Sequence, residues 1–327
     1  MSTQFILGFL PGVIDKSDFN PEWKSLLKHS PLPRWQPSCQ PPLIYQVQDS
    51  SLLEREIAFR INAIRETFEE TGVMLAVNDS SSSSFILSDL ELSQWRSRVH
   101  DNPSDFITMC KHFDISPDIW SLYEWSDWLT PLHLKTKSRF DTIFFIALFS
   151  GQMPNSDHVM APDGDREVSE VECFSPAEAV NLHVNEKIWL APPQCYELSR
   201  LNTLFKSGNL SDLRTFAQQR ALRHGLSTWF PIQALCRDGH AALYPGDDWY
   251  RSQPDLTGTL ERKVLDKRQW SLQECRQQCQ HLNRMEILGP HNGRIVCNIV
   301  DPNGHQQVSG ALLQSSSLFL SIINNET

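Results

Sequence analysis

Residues 57–73 read IAFRINAIRETFEETGV and carry the most regular amphipathic pattern in the chain. At about 100° per residue, four apolar side chains fall in one narrow stripe. These are Ile57, Ile61, Ile64 and Phe68. Gly72 follows at the place where a glycine commonly ends a helix. The pattern therefore predicts a helix over residues 52–71 that buries one face against a core.

Three glutamates, Glu66, Glu69 and Glu70, lie on the opposite side of this helix. Like charges at such spacings destabilise a helix by roughly 0.2–0.5 kcal/mol per pair. The C-terminal end of a helix also favours cations over anions. A divalent cation would offset both effects, and carboxylate oxygens suit magnesium or manganese. The alternative interpretation is an acidic face that is simply exposed to water.

The residues from Arg65 to Val73 follow the order Arg-Glu, apolar, any, Glu-Glu, any, Gly, apolar. This order resembles the second half of the Nudix box, with Thr67 in the first apolar slot. Gly12 and Asp18 have the spacing of the first half, a glycine and then an acid six positions later. The box is therefore split by an insertion of about 40 residues.

A split box of this kind is similar to that of the acyl-coenzyme A diphosphatases of the Nudix motif 19 type. Other segments share the resemblance and spread over most of the chain. They are residues 9–15 (FLPGVID), 58–61 (AFRI), 125–131 (WSDWLTP), 139–142 (RFDT), 191–194 (APPQ) and 243–250 (LYPGDDWY).

The resemblance implies an α/β fold in which a Nudix-type mixed β-sheet is sandwiched between helices. It also implies large helical insertions and a C-terminal extension. We place the Nudix hydrolase domain in residues 1–200, with insertions at about 19–51 and 79–130. A mostly helical extension packed on this domain is expected in residues 201–327.

Local patterns predict further elements. Helices are expected at residues 20–29, 90–113 (two, broken near Asn102-Pro103), 176–183 with Ser175 as cap, 192–204, and 212–224 between a Ser211 cap and Gly225. Strands are expected at residues 73–77, 142–149, 159–168 and 294–299.

The resemblance also implies an activity, the metal-dependent hydrolysis of the diphosphate linkage of coenzyme A and its acyl esters. The products would be adenosine 3′,5′-bisphosphate and (acyl-)4′-phosphopantetheine. By motif position, the ligands of Mg²⁺ or Mn²⁺ would be Glu66, Glu69, Glu70 and the Gly12 carbonyl. Arg65 would orient the carboxylates, and Glu66 would deprotonate the attacking water.

Residues outside the box are weaker candidates. Glu167 and Glu170 could supply a further acid from a later loop, or could be ordinary surface acids. Lys135, Lys137 and Arg139 could contact substrate phosphates, or could form a solvated basic loop. Arg60 could likewise contact a phosphate, or could pair with a neighbouring acid.

Eleven residues precede Gly12, and Leu10-Pro11 stands where the family has Pro-Gly. We therefore expect either a shortened N-terminus or a sheet that is completed differently. Two other functions stay open. One is a weakly active or inactive relative that only binds a ligand or partner. The other is a diphosphatase for another nucleoside diphosphate derivative, such as a nucleotide sugar, a dinucleotide or a capped RNA end.

Composition and net charge argue against some classes of binding partner. The 327 residues have a formal net charge of −10, which argues against general nucleic-acid or membrane-surface binding. No apolar run approaches the roughly 18 residues of a membrane span. The eight scattered cysteines indicate reduced thiols in an intracellular protein. We expect a monomer or homodimer that is peroxisomal or mitochondrial by resemblance, although no C-terminal peroxisomal tripeptide is present.

Overall fold

The computed structural model describes residues 4–8, 13–27, 32, 41–46, 52–77, 87–131, 139–149, 171–204, 210–250, 264–289, 292–299 and 319–322. The strands are β1 (Gln4–Gly8), β2 (Ala76–Val77), β3 (Ser116–Pro117), β4 (Leu122–Leu129), β5 (Asp141–Phe149), β6 (Val171–Phe174), β7 (Thr228–Trp229), β8 (Ile232–Cys236), β9 (Gly239–Leu243), β10 (Leu265–Lys267), β11 (Asn283–Gly289), β12 (Asn292–Cys297) and β13 (Phe319–Ile322). The helices are α1 (Trp23–Leu26), α2 (Leu43–Gln46), α3 (Arg55–Thr71), α4 (Asp89–Asp101), α5 (Asp105–His112), α6 (Pro176–Val184), α7 (Pro192–Leu204), α8 (Leu210–His224) and α9 (Leu272–Gln277).

The larger sheet of the described residues has the strand order β6-β13-β1-β5-β4-β7. It is mixed, since β1 and β13 run parallel, as do β4 and β7, while β5 runs antiparallel to both of its neighbours. The expected α/β fold with a mixed sheet between helices is therefore confirmed.

Strand β5 shows how the sheet lies between two cores. Its side chains alternate, as they must in a strand. Ile143 and Phe145 join the core that contains α3, whereas Phe144 and Ile146 join the core that contains α6 and α7. A continuous apolar run is thus explained by burial on both faces of the strand.

The sheet around β1 is completed from the other end of the chain. Strand β13 pairs parallel with β1, with Phe5 opposite Phe319, and antiparallel with β6. This arrangement corresponds to the second expectation from sequence, a sheet that is completed differently.

Among the described residues after position 201, more lie in strands than in helices, which differs from the mostly helical extension expected from the sequence. The domain boundaries stay a prediction. Besides α8 and α9 this segment contains a five-stranded sheet with the order β10-β8-β9-β11-β12. The strands are short, and β8 buries only alternate residues, Ile232, Ala234 and Cys236. Stretches of three to seven residues carry too few repeats for a period of two to stand out in the sequence.

Several helix boundaries agree with the local signals. Helix α3 ends at Gly72, whose φ of 76° lies in the left-handed region, and its amide donates to the Phe68 carbonyl at 2.8 Å. Helices α4 and α5 break at the expected place, and Ser175 caps α6 through a capping box. Ser211 is not a cap, because α8 already begins at Leu210.

Other local expectations fare less well. The expected helix at residues 20–29 is reduced to the four residues of α1, and the strand at 73–77 to the two of β2. The edge expected at residues 159–168 lies outside the described residues.

Two expectations from composition bear on the described part of the chain. The six cysteines whose side chains are described are free thiols, and four of them are buried. No helix within the described ranges is both long and apolar enough to cross a membrane.

Candidate active site

The three glutamates occupy the last two turns of α3, and they do not form a solvated face. Glu69 is 8 % exposed, while Glu66 and Glu70 are half-buried. The reason is that α4 and the short 3₁₀ helix Lys16–Phe19 pack against the sides of α3. Carboxylates held partly out of water must be compensated by cations or hydrogen bonds.

Arg65 supplies that compensation from within the same helix. Its Nη1 lies 2.8 Å from Oε1 of Glu66 and 2.6 Å from Oε1 of Glu69. The two carboxylates therefore converge on one nitrogen. Arg65 is itself buried, so this geometry is held by packing as well as by charge.

The other edge of the Arg65 guanidinium binds Asp18 in a bidentate ion pair. Nε donates to Oδ1 and Nη2 to Oδ2, both at 3.0 Å, and Asp18 is 1 % exposed. Burial alone would lower the pKa of Arg65, but the hydrogen bonds and charge of Asp18, with Glu66 and Glu69, raise it above its usual value. The acid from the first half of the split box thus meets the arginine of the second half.

Local chain geometry presents Asp18 to Arg65. Asp15 caps the 3₁₀ helix by accepting from the Ser17 amide at 2.7 Å, and the Asp15 amide donates back to Asp18 Oδ2 at 2.9 Å. This reciprocal capping box fixes the turn that carries Asp18. The sequence singled out Asp18 by its spacing, but only the structure shows what it contacts.

The pKa of Glu66 lies above the usual range of a glutamate. Burial raises its pKa to about 7, and the negative charges of Glu69 and Asp18 act in the same direction against the lowering effect of Arg65. A carboxyl that titrates near neutrality can accept a proton at physiological pH. This agrees with a role for Glu66 as a base.

The donor set around Arg65 fits an oxygen-seeking divalent cation. Asp18, Glu66 and Glu69 bring three carboxylates to a single guanidinium, so one positive charge faces three acidic groups. Within the described ranges, however, no three acidic, histidine or cysteine side chains surround a common point closely enough to hold an ion. The Gly12 carbonyl lies outside those ranges. The fit is one of donor chemistry, and the metal ligands stay a prediction.

Of the sequence candidates at positions 135–170, only Arg139 lies in the described part of the chain, and it contacts Thr130 and Phe230, which are not part of this cluster. Lys135, Lys137, Glu167 and Glu170 lie outside that part. Arg139 donates from Nε to the Thr130 carbonyl at 3.0 Å and lies over the Phe230 ring at 5.4 Å. These contacts stabilise the end of the β4–β5 hairpin.

A second buried polar cluster faces the first half of α3, and sequence reasoning missed most of it. A β-bulge between Glu124 and Ser126 shifts the register of β4 against β5. It turns both Glu124 and Asp127 toward the α3 side, where Glu124 forms a buried ion pair with Arg60. A bulge inserts one residue and re-aims its neighbours. The alternation of the sequence could not show it.

Asp127 and Asp141 form a carboxyl pair in this second cluster. Thr228 donates to Oδ2 of Asp127 at 2.5 Å, but Oδ1 of each aspartate is buried and has no donor among the described groups. Burial raises the pKa of Asp127, and the charge of Asp141 raises it further; burial also raises the pKa of Asp141. One proton held by the pair would allow one carboxyl to donate a hydrogen bond to the other.

We predict that Asp127→Asn flattens the dependence of stability on pH. A carboxyl with a raised folded pKa stabilises fully below its unfolded value near 3.8, and this contribution is lost as pH rises toward the folded pKa. The amide donates to Asp141 without needing a proton from solution. As pH rises from about 5 to about 8, the unfolding free energy of wild type should therefore fall by about 1–2 kcal/mol more than that of the variant. Urea titrations at each pH measure both.

Asp266→Asn is the matched control, since this aspartate is exposed and its pKa is already lowered to about 2 by Arg268. The control should follow the wild-type pH profile. If Asp127→Asn also follows that profile, the two carboxyls do not share a proton.

The comparisons with known proteins bear on the whole chain. The family model for the NUDT19 Nudix domain matches residues 5–201, and that for the NUDT19 C-terminal domain matches residues 233–298. No solved structure gives a significant match.

Three curated relatives carry the name acyl-coenzyme A diphosphatase NUDT19. The Xenopus laevis protein is 39 % identical over 286 residues, which are 79 % of this chain and 72 % of the relative. The Gallus gallus protein is 32 % identical over 321 residues, or 89 % and 82 %, and the Homo sapiens protein is 36 % identical over 280 residues, or 77 % and 72 %. With the split box reassembled around Arg65 and a Nudix domain match across more than half of its length, this chain belongs to the NUDT19 family of Nudix proteins.

Proposed function

We propose that this chain hydrolyses the diphosphate linkage of coenzyme A and its acyl esters. The products are adenosine 3′,5′-bisphosphate and (acyl-)4′-phosphopantetheine. One observation carries the proposal. The Arg65-centred carboxylate cluster lies in a chain whose relatives, matched over most of its length, are named acyl-coenzyme A diphosphatases.

The family implies a divalent cation, and we propose Mg²⁺ or Mn²⁺ with Glu66, Glu69, Glu70 and the Gly12 carbonyl as ligands. When bound, such a cation neutralises charge on the diphosphate. Arg65 holds Glu66 and Glu69 in one orientation through Nη1. Asp18 in turn holds Arg65 from its opposite edge, so that the guanidinium cannot swing away.

Glu66 is the group that accepts the proton of the attacking water. Without a cation, burial raises its pKa to about 7. A bound cation would lower this pKa and keep Glu66 ionised, so that it can accept a proton at neutral pH. Lys135, Lys137 and Arg139 are proposed to contact the substrate phosphates. Phosphate recognition by such groups would orient the diphosphate for in-line attack.

The test is an assay of the pure protein with coenzyme A and Mg²⁺ or Mn²⁺, in which release of adenosine 3′,5′-bisphosphate is followed by chromatography. Turnover that requires the cation is expected. Turnover of a nucleotide sugar, a dinucleotide or a capped RNA end instead of coenzyme A would reassign the substrate. If no diphosphate compound is cleaved, the proposal fails, and a relative that only binds a ligand or partner becomes the favoured alternative.

Compartment and assembly remain predictions. Imaging of the tagged protein would test the peroxisomal or mitochondrial location that the family resemblance implies. Light scattering on the pure protein would distinguish the expected monomer from a homodimer.

A further inference from the structure

Arg96 of α4 binds the end of α3 that carries Glu69 and Glu70. Its Nε and Nη2 donate to the Glu69 carbonyl at 3.0 and 2.9 Å, and Nη2 also donates to the Glu70 carbonyl at 2.8 Å. Arg96 is 4 % exposed, so that these bonds form away from solvent. Arg96 belongs to a segment that the sequence predicts to be a helical insertion.

The carbonyls that Arg96 binds are groups which a helix cannot satisfy by itself. The last four carbonyls of an α-helix have no amide donor within the helix. At the end of α3 the Gly72 amide takes the Phe68 carbonyl, and those of Glu69 and Glu70 come next. The planar guanidinium bonds to both, because Nη2 reaches both carbonyls and Nε adds a second bond to that of Glu69. A lysine ammonium lacks this second donor at a fixed angle.

Helix α4 also contacts the side chain of Glu69. His100 lies four residues after Arg96, on the same face of α4, and its Nδ1 is 3.6 Å from Oε2 of Glu69. Oε1 of the same carboxylate is bound by Arg65 at 2.6 Å. Glu69 is therefore held at its main chain and beside both carboxylate oxygens.

The close approach of α4 depends on the glycine that ends α3. A Cβ atom at position 72 would lie 3.3 Å from Cδ2 of Leu92 and 3.5 Å from Cδ of Arg96. A Cβ there would crowd the Leu92 side chain by a few tenths of an ångström and would place a side chain at the strained positive φ of 76°. The end of α3 is thus shaped to receive Arg96.

We propose that Arg96 is a positioning residue, which fixes the backbone of Glu69 and Glu70 so that their carboxylates bind a divalent cation tightly. The inference rests on the proposed function in one respect, that these glutamates bind the cation. If so, α4 supports the cation site from outside the Nudix box.

The experiment measures Mn²⁺ binding to the pure protein without substrate, from the electron paramagnetic resonance signal of free Mn²⁺. Arg96→Met removes the donors but keeps the apolar stem, and Arg96→Lys keeps the charge with a single-point donor. Arg98→Met is the matched control, because Arg98 lies on the same helix, is half exposed and pairs with Asp105. Circular dichroism establishes that each variant is folded at the temperature used.

We expect Arg96→Met to weaken Mn²⁺ binding about 10–100-fold, as loss of groups that orient metal ligands generally does. Arg96→Lys should fall between it and wild type, and Arg98→Met should bind as wild type does. With coenzyme A, the lost turnover of Arg96→Met should return at high Mn²⁺ concentration.

A folded Arg96→Met with wild-type Mn²⁺ affinity would overturn the proposal. If Arg96→Met does not fold, Arg96→Lys decides, and wild-type affinity in that variant overturns it as well. Failure of the proposed function is separable. If wild type binds Mn²⁺ but does not cleave coenzyme A, the proposed substrate is refuted, and the role of Arg96 is then judged from the Mn²⁺ affinities alone. Wild type that binds no Mn²⁺ overturns the role of Arg96.

Discussion

Replacing Glu69 and Glu70 together by glutamine is expected to lower kcat/KM for coenzyme A by at least about 100-fold. The substitution removes two negative charges from the end of α3 but preserves side-chain shape. The glutamine at position 69 can still accept the hydrogen bond that Arg65 donates to Oε1 at 2.6 Å. The loss should therefore come from weakened cation binding and not from a disturbed helix. Turnover and Mn²⁺ binding, measured on the same preparation, check this.

Glu56→Gln is the control, because Glu56 is an exposed glutamate in the first turn of the same helix. It should keep both turnover and Mn²⁺ affinity. If turnover survives the double substitution, the assignment of Glu69 and Glu70 as metal ligands is wrong, even if the protein proves to be a diphosphatase.

Arg65→Met is expected to destabilise the protein by about 3–5 kcal/mol. The substitution leaves Asp18, which is 1 % exposed, as a buried carboxylate without its bidentate partner. It also removes the cation that compensates Glu66 and Glu69. Breaking one member of a buried ion pair costs more than the pair itself contributes, because the other charge stays out of water. Urea unfolding at neutral pH measures the loss.

The double variant Arg65→Met with Asp18→Asn tests the assignment to this ion pair. Its loss in unfolding free energy should be clearly smaller than the sum of the losses of the two single variants, because neither partner then leaves the other unpaired. Lys24→Met is the control for a surface ion pair, since Lys24 and Glu54 are 3.1 Å apart but each 55 % exposed. It should cost less than about 1 kcal/mol. Additive losses in the double variant would show that Asp18 and Arg65 are not energetically coupled.

The two ion-pair systems on α3 have different consequences. Arg65 binds acids that belong to the proposed site, whereas Arg60 binds Glu124 under the first half of the helix. Position 60 was open in the sequence between a phosphate contact and an ion pair with a neighbouring acid. The structure shows the ion pair. Its burial between α3 and β4 makes Arg60 a packing residue of the sheet.

The elements that the sequence predicted well are those determined by their own residues. The apolar stripe from Ile57 to Phe68 predicts α3, and the glycine at 72 gives its end at Thr71, while its observed start at Arg55 lies three residues after the predicted one. The Ser175 capping box and the long apolar run of β5 are equally local signals. Periodicity, capping and turn chemistry act over a few residues, so they can be read without knowing what packs alongside.

The proposed site could be predicted in part. Residues 65–73 identified the glutamates and the arginine, because the box is contiguous there. The partner of Arg65 lies 47 positions earlier. The sequence indicated Asp18 by spacing alone, and no local rule could say that it meets Arg65. Arg96 had no signal at all, since an arginine in an amphipathic helix normally has a solvated head.

By itself the sequence determined the helix α3, its three glutamates and the family to which the chain belongs. Only the tertiary structure decided that Asp18 closes the split box on Arg65, that β13 lies beside β1, and that Arg96 binds the end of α3. Each of these contacts joins segments far apart in the chain. Their energy comes from burial and charge pairing that exist only after the intervening residues have folded, so no window of sequence contains them.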